Sequence, residues 1–182
     1  MTDLLQGLNV YLIGMMGAGK TTVGRLLAAH LQYGFLDTDD VITKAAGKTI
    51  NEVFAEDGEE AFRSLESDVL SKVCAHTKLA VATGGGIILR RRNWSYLHCG
   101  LVVWLDAPVD VLYNRLAADT TRPLLQDADL KEKLRTLVAG RQALYSEADL
   151  HITIALDEAP EQIAQRIITA IPSVLKSNAS LN

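Results

Sequence analysis

Apolar residues along this chain fall into two alternating patterns. Short unbroken runs mark buried strands, and residues three or four apart mark the inward faces of helices. Leu8-Asn9-Val10-Tyr11-Leu12-Ile13 is a run of the first kind, and Val23, Leu26, Leu27 and Leu31 follow at helical spacing. They predict a strand over 8–13 and a helix over 20–32, broken by Tyr33-Gly34. Residues 35–40 read as a short strand ending in acids, and 41–46 as a short helix closed by Gly47. Thr49 with Glu52 forms a capping-box pattern for the next helix. Residues 59–75 predict a longer helix, with Phe62, Leu65, Val69 and Val73 near one face. Further strands are expected at 79–82, 101–105 and 150–155. Further helices are expected at 90–97, 109–118 and 130–147, and from Pro160 to near Leu175. Leu101-Val102-Val103-Trp104-Leu105 is apolar throughout, as a central parallel strand should be. This alternation predicts an α/β fold with a mainly parallel sheet. The polar stretch 119–129 reads as a loop, and about 176–182 as a frayed tail.

Composition narrows the possibilities. The chain has 182 residues, 48% of them apolar, enough for the core of a single domain spanning 1–182. A net charge of −4 repels anions, so a phosphate site has to be built locally from arginines, lysines and N–H groups. Nucleic acid is not an expected partner, because Arg90-Arg91-Arg92 is the only basic run and reads as a solvated face. No membrane span is expected, since no window offers about 18 uninterrupted apolar residues. Residues 1–7 lack the basic-then-apolar pattern of a signal peptide. The expectation is a cytoplasmic monomer. Cys74 and Cys99 fall outside any C-x-x-C spacing and read as buried free thiols. His30, His76, His98 and His151 show no ligand spacing and read as structural.

Between the first strand and the first helix stands Gly14-Met15-Met16-Gly17-Ala18-Gly19-Lys20-Thr21, which matches G-x-x-x-x-G-K-[ST]. Its glycines can take backbone angles closed to other residues, so the loop can wrap a phosphate with its N–H groups inward. The helix that follows adds unpaired N–H groups and a positive dipole end. Lys20 is expected to reach the β- and γ-phosphates, and the Thr21 hydroxyl to bind Mg²⁺. A dinucleotide fingerprint fits less well, because its third glycine would fall on Thr22.

Other residues could complete such a site. In extended chain, Asp37 and Asp39 would present both carboxylates on one side, at a strand end where ligands bind in open α/β sheets. The alternative is a helix N-cap cluster. Asp106 closes the strand 101–105 and is either a rival metal acid or a turn residue before Pro108. Arg63 and Glu66 share a helix face, either as a solvated i,i+3 pair or as an arginine held for a substrate carboxylate. Gly84-Gly85-Gly86 at a strand end either lets the backbone approach a ligand closely or makes a tight connection. Arg122, held extended by Pro123, and Arg141, near Tyr145, are either surface arginines or phosphate and substrate contacts.

Together these segments resemble the shikimate kinase family. The likeness rests on 14–24, on Leu36-Asp37-Thr38-Asp39 and on Phe62-Arg63-Ser64-Leu65-Glu66. It continues through Thr83-Gly84-Gly85-Gly86, Trp104-Leu105-Asp106-Ala107-Pro108, Arg122-Pro123-Leu124-Leu125 and Arg141-Gln142-Ala143-Leu144-Tyr145. It covers roughly 6–172, and seven segments in order are highly specific. The resemblance implies Mg²⁺- and ATP-dependent phosphorylation of the shikimate 3-hydroxyl, a step towards chorismate and the aromatic amino acids. It implies a three-layer α/β/α P-loop kinase fold with five parallel strands ordered 2-3-1-4-5. A lid is expected at about 117–129 and a substrate-binding region at about 38–66. By the same likeness, Gly17, Ala18, Gly19, Lys20, Thr21 and Thr22 bind ATP, with Arg115, Arg122 and Pro160 around it. Thr21 and Asp37 hold the metal. Asp39, Arg63, Gly84, Gly85, Gly86 and Arg141 bind shikimate. Lys20, Asp39 and Arg122 act in catalysis. The rivals are another small-molecule or nucleotide kinase of this fold, such as a gluconate kinase, and a non-catalytic nucleotide-binding relative.

Overall fold

The computed structural model describes residues 4–118 and 129–179. Most of the expected lid, including Arg122, and the end of the tail lie outside the described residues. The elements run β1 (Val10–Ile13), α1 (Lys20–Leu31), β2 (Gly34–Asp37), α2 (Thr38–Ala46), α3 (Ile50–Glu56) and α4 (Gly58–Val73). They continue with β3 (Leu79–Ala82), a 3-10 turn (Ile87–Leu89), α5 (Arg91–Leu97), β4 (Leu101–Asp106) and α6 (Val109–Ala117). After the undescribed stretch come α7 (Leu130–Tyr145), β5 (Leu150–Thr153) and α8 (Pro160–Ala179).

The strands form one parallel five-stranded sheet ordered β2-β3-β1-β4-β5, with helices on both sides. All four residues of β1 are buried, as are Leu101 to Leu105 of β4, because each of these strands has a neighbour on both edges and helices over both faces. The register places Leu12 opposite Ala82 and Val103, and Asp37 opposite Ala82. The loops after β1, β2 and β3 therefore emerge together at one end of the sheet. No helix among the described residues is long and apolar enough to cross a membrane.

Local chemistry sets the boundaries, and several differ from those expected. β1 starts at Val10: Leu8 is 42% exposed, while the buried Asn9 side chain accepts from Leu79 N–H and donates to the His76 carbonyl. β2 ends at Asp37, and α2 begins at once. The Asp37 carboxylate is its N-cap, accepting from Asp39 N–H at 3.0 Å. Asp37 and Asp39 therefore do not share one side of an extended strand, because Asp39 stands in the first turn of a helix. The capping box at Thr49 and Glu52 forms as expected. α8 runs on past Leu175 to Ala179 with Pro172 inside it, its Ile163, Ile167 and Ile171 buried along one face.

Gly100, which leads into β4, has no room for a side chain. A Cβ there would strike the Asn9 carbonyl oxygen and lie 2.9 Å from Tyr11 Cε2. The obstacle is backbone and a buried ring, so it cannot swing away. Gly100→Ala should destabilise the fold by about 1–3 kcal/mol, read as a lowered denaturant midpoint; an unchanged midpoint would show that the β4 approach is compliant.

Candidate active site

The loop between β1 and α1 takes the shape its glycines permit. Gly14, Gly17 and Gly19 have φ of 143°, 81° and 94°, a region closed to most side chains. Space is limiting too, since a Cβ on Gly14 would lie 2.5 Å from the Leu105 carbonyl. Lys20 opens α1 and is only 9% exposed. Its Nζ donates to the carbonyls of Gly14 at 2.8 Å and Met15 at 2.9 Å. Thr21 Oγ1 donates to Asp37 Oδ2 at 2.7 Å, so a hydroxyl and a carboxylate from separate elements meet beside the loop. Arg115 of α6 donates to the Gly17 carbonyl at 3.1 Å. Pro160 begins α8, beside an open groove lined by Ala155, Asp157, Glu161 and Gln165 among others; no residue of the glycine loop lines it.

Facing this loop is the turn Gly84-Gly85-Gly86, onto which four elements converge. A Cβ on Gly84 would lie 2.6 Å from Glu66 Oε1 and 3.1 Å from Asp39 Oδ1. One on Gly85 would lie 3.3 Å from Met16 N, in the glycine loop, and one on Gly86 would overlap the Arg63 guanidinium. None of the three has a left-handed φ. They are glycines because other groups occupy the space, not because of backbone angle. Thr38 Oγ1 accepts from Gly84 N–H at 3.1 Å. The Gly85 carbonyl accepts from Tyr145 OH at 2.7 Å and from Arg141 Nη1 at 3.2 Å. Just beyond, Asn93 donates to the Ile87 carbonyl at 2.7 Å and accepts from Ser67 of α4 at 2.7 Å, fixing α4 against the turn.

Arg63 donates to Glu66 Oε2 at 2.6 Å and to Glu59 Oε1 at 3.2 Å. The side chains of Arg63 and Glu66 are only 13% and 1% exposed, so the pair is buried and the solvated reading fails. Arg63 Nε and Glu66 Oε1 are buried without hydrogen-bond partners among the described residues. Arg63 also lies over the rings of Phe62, at 5.3 Å, and Phe54, at 6.0 Å. Burial pushes the Glu66 carboxyl above its ordinary range; Arg63 pulls it back in part, and Asp39 adds a further upward push. Burial also raises the Tyr145 phenol, against the pull of Arg141. Behind Tyr145 a stack runs to the sheet edge: its ring lies 5.7 Å from that of Trp104, which lies 4.1 Å from that of His151.

Of the residues singled out in the sequence, Lys20, Thr21, Asp37, Asp39, Arg63, Gly84, Gly85, Gly86, Arg115 and Arg141 are brought together at one end of the sheet. Thr21 bonds Asp37, whereas Asp106 pairs with His151 at 2.8 Å. The Arg90-Arg91-Arg92 run is spent on ion pairs with Glu60, Glu147 and Asp68. The two thiols are not buried as expected: Cys74 is intermediate and Cys99 exposed. Sequence reasoning gave no role to Thr38 or Met15 and placed Tyr145 only as a neighbour. For Tyr145 a signal existed, since it stands one helical turn after Arg141.

A lysine at the head of a helix, behind a glycine loop at the C-terminal end of a parallel sheet ordered 2-3-1-4-5, defines a P-loop kinase. The family model for shikimate kinase matches residues 16–172, and the chain belongs to that family. A shikimate kinase of Nostoc punctiforme is 69% identical over 180 residues, 99% of either chain. The solved shikimate kinase of Acinetobacter baumannii, in complex with shikimate, superposes with a TM-score of 0.85 at 41% identity. That match covers 93% of this chain and 96% of the other. The solved shikimate kinase of Bacteroides thetaiotaomicron matches at 31% identity with a TM-score of 0.85, covering 90% and 98%.

The buried Glu66 has a consequence for stability. Its folded pKa lies above the ordinary 4.5. The stability it contributes is therefore fully present below that value and lost as pH rises through the folded one. The advantage of wild type over Glu66→Gln should shrink as pH rises above 4.5, measured as urea midpoints of the two proteins. A gap that widens with pH would contradict this.

Proposed function

We propose that this chain is a cytoplasmic, monomeric kinase that transfers the γ-phosphoryl group of ATP to the 3-hydroxyl of shikimate, giving shikimate 3-phosphate and ADP. The observation that carries the reading is the convergence of Asp39, Arg63 and Arg141 on Gly84-Gly85-Gly86, opposite the glycine loop. A phosphate-holding loop alone serves any nucleoside triphosphate. Two arginines and a carboxylate around a turn without side chains describe a small acceptor bearing both a carboxylate and hydroxyls. The relatives' shared name and the shikimate held by the Acinetobacter protein support the same acceptor.

The residues divide the work as follows. The N–H groups of Gly17, Ala18, Gly19, Lys20, Thr21 and Thr22 hold the donor phosphates, and the α1 N-terminus adds its dipole. ATP draws the Lys20 ammonium from the carbonyls of Gly14 and Met15 onto phosphate oxygens. Thr21 and Asp37, already in contact, offer the hard oxygen donors that Mg²⁺ takes. Bound there, Mg²⁺ would offset charge on the β- and γ-phosphates. Arg115, on the Gly17 carbonyl, and the turn before Pro160 border the nucleotide. Arg63 and Arg141 pair with the shikimate carboxylate, and Glu66 fixes the Arg63 fork. Gly84 N–H is already given to Thr38, so Gly84 supplies space while Gly85 and Gly86 supply backbone contact. Asp39 accepts a hydrogen bond from the acceptor hydroxyl, and then its proton, as the hydroxyl oxygen attacks the γ-phosphorus. Arg122 lies outside the described residues.

A coupled ADP-release assay with shikimate, gluconate and a nucleoside monophosphate tests the acceptor. Turnover is expected with shikimate alone, and activity on either of the others without shikimate would refute the reading. Asp39→Asn should lower kcat by at least about 100-fold while leaving ATP affinity in place; near-wild-type turnover would remove Asp39 from the chemistry. Arg63→Ala should raise the KM for shikimate by about 100-fold, as expected when a buried charge contact is lost, with little change in the KM for ATP. An unchanged shikimate KM would reduce Arg63 to a structural ion pair.

A further inference from the structure

The end of the sheet opposite the glycine loop carries a second group of reactive side chains. Cys74 caps the C-terminus of α4, just before β3, and Cys99 lies between α5 and β4. In the sheet, β3 and β4 flank β1 on its two edges. The two cysteines, far apart in sequence, therefore approach each other across the start of β1. Asn9 of β1 joins the two segments: its side chain donates to the His76 carbonyl at 2.9 Å, two residues past Cys74, and its own carbonyl accepts from Leu101 N–H at 2.8 Å, two residues past Cys99, so that each thiol falls within the electrostatic reach of the other. Both also stand near the Tyr11 phenol of β1, which Asn9 bonds at 3.3 Å. The absence of a side chain at Gly100 presses this turn onto Tyr11 and Asn9 and so fixes where Cys99 stands. Each thiol also donates to a carbonyl of its own helix, Cys74 to Ser71 at 3.1 Å and Cys99 to Ser95 at 3.5 Å.

We propose that Cys74 and Cys99 are a reversible dithiol–disulfide pair, a modification site for small-molecule or protein disulfides at the face opposite the active site. Cys99 is exposed and is the thiol an incoming disulfide reaches. Its thiolate attacks one sulfur of the external disulfide, forming a mixed disulfide and releasing one thiol. The Cys74 thiolate then attacks Cys99 Sγ, closing the internal bond and releasing the second thiol. The cysteines together lose two electrons and two protons, and the external disulfide gains them. Cys74 is the slower partner as an attacking group, because burial and the neighbouring Cys99 both raise its thiol above the ordinary range. The bond would tie the end of α4, the helix that carries Arg63 and Glu66, to the start of β4.

The reduced protein is equilibrated with excess glutathione disulfide, then unfolded with free thiols blocked, and its thiols and intact mass are measured. Wild type should lose both thiols, carry no glutathione and be lighter by two hydrogens. Cys74→Ser and Cys99→Ser should each stop at one glutathione adduct or one free thiol. Two glutathiones on wild type, or two thiols surviving the treatment, would overturn the proposal. The bridged form should also melt at a higher temperature than the reduced form, because the bond closes the loop from 74 to 99. A lower midpoint would show that the native fold does not hold the thiols at bonding distance.

Discussion

Everything in the acceptor half of this site depends on one absence, that of side chains at Gly84, Gly85 and Gly86. Their Cβ positions are taken by Glu66, Asp39, the glycine loop and the Arg63 guanidinium. A single methyl at Gly86 would displace the arginine, and at Gly84 it would press on two carboxylates. Because proteins pack at near-crystalline density, such displacement cannot be absorbed locally. The turn thus acts as a template: α2, α4 and α7 each place two side chains against it, and β3 delivers it beside the phosphate loop. The parallel register makes this possible, since it brings the ends of β1, β2 and β3 level.

The charges around the turn are arranged to be exchanged. Lys20 rests on two backbone carbonyls and Arg63 on two glutamates, while Thr21 and Asp37 bond each other. Each group has a partner that a substrate phosphate, carboxylate or cation can replace. This keeps the site from collapsing and limits the cost of desolvated charge before ligands arrive. Glu66 is the exception. It is buried, one of its oxygens has no hydrogen-bond partner among the described residues, and the other holds Arg63.

What was legible in the sequence follows contiguity. The glycine loop is eight adjacent residues whose identities encode both backbone angles and ligand chemistry, so its place between strand and helix could be read directly. The strand order came from family resemblance, and the sheet bears it out. The shared face of Arg63 and Glu66 was legible from i,i+3 spacing, but its burial was not, because that depends on α4 packing against a turn about twenty residues further on. For Asp37 and Asp39 the extended-strand reading fails and the helix N-cap alternative holds. Thr38 is fully buried and bonded to Gly84, so the chain turns helical at Thr38, three residues before the helix expected from 41. Cys74 and Cys99 show the same limit: nothing in their spacing reveals that the sheet brings them together.

The ring stack behind Gly85 gives the molecule its own optical signal. The chain has two tryptophans. Trp94 is tied to the Ile88 carbonyl, whereas Trp104 lies between His151 and Tyr145, whose hydroxyl grips the turn. Any ligand that shifts Gly85 shifts Tyr145, and with it the surroundings of the Trp104 indole. Light emitted from the middle of the sheet would therefore report on a ligand bound against the Gly84-Gly85-Gly86 turn without any added dye.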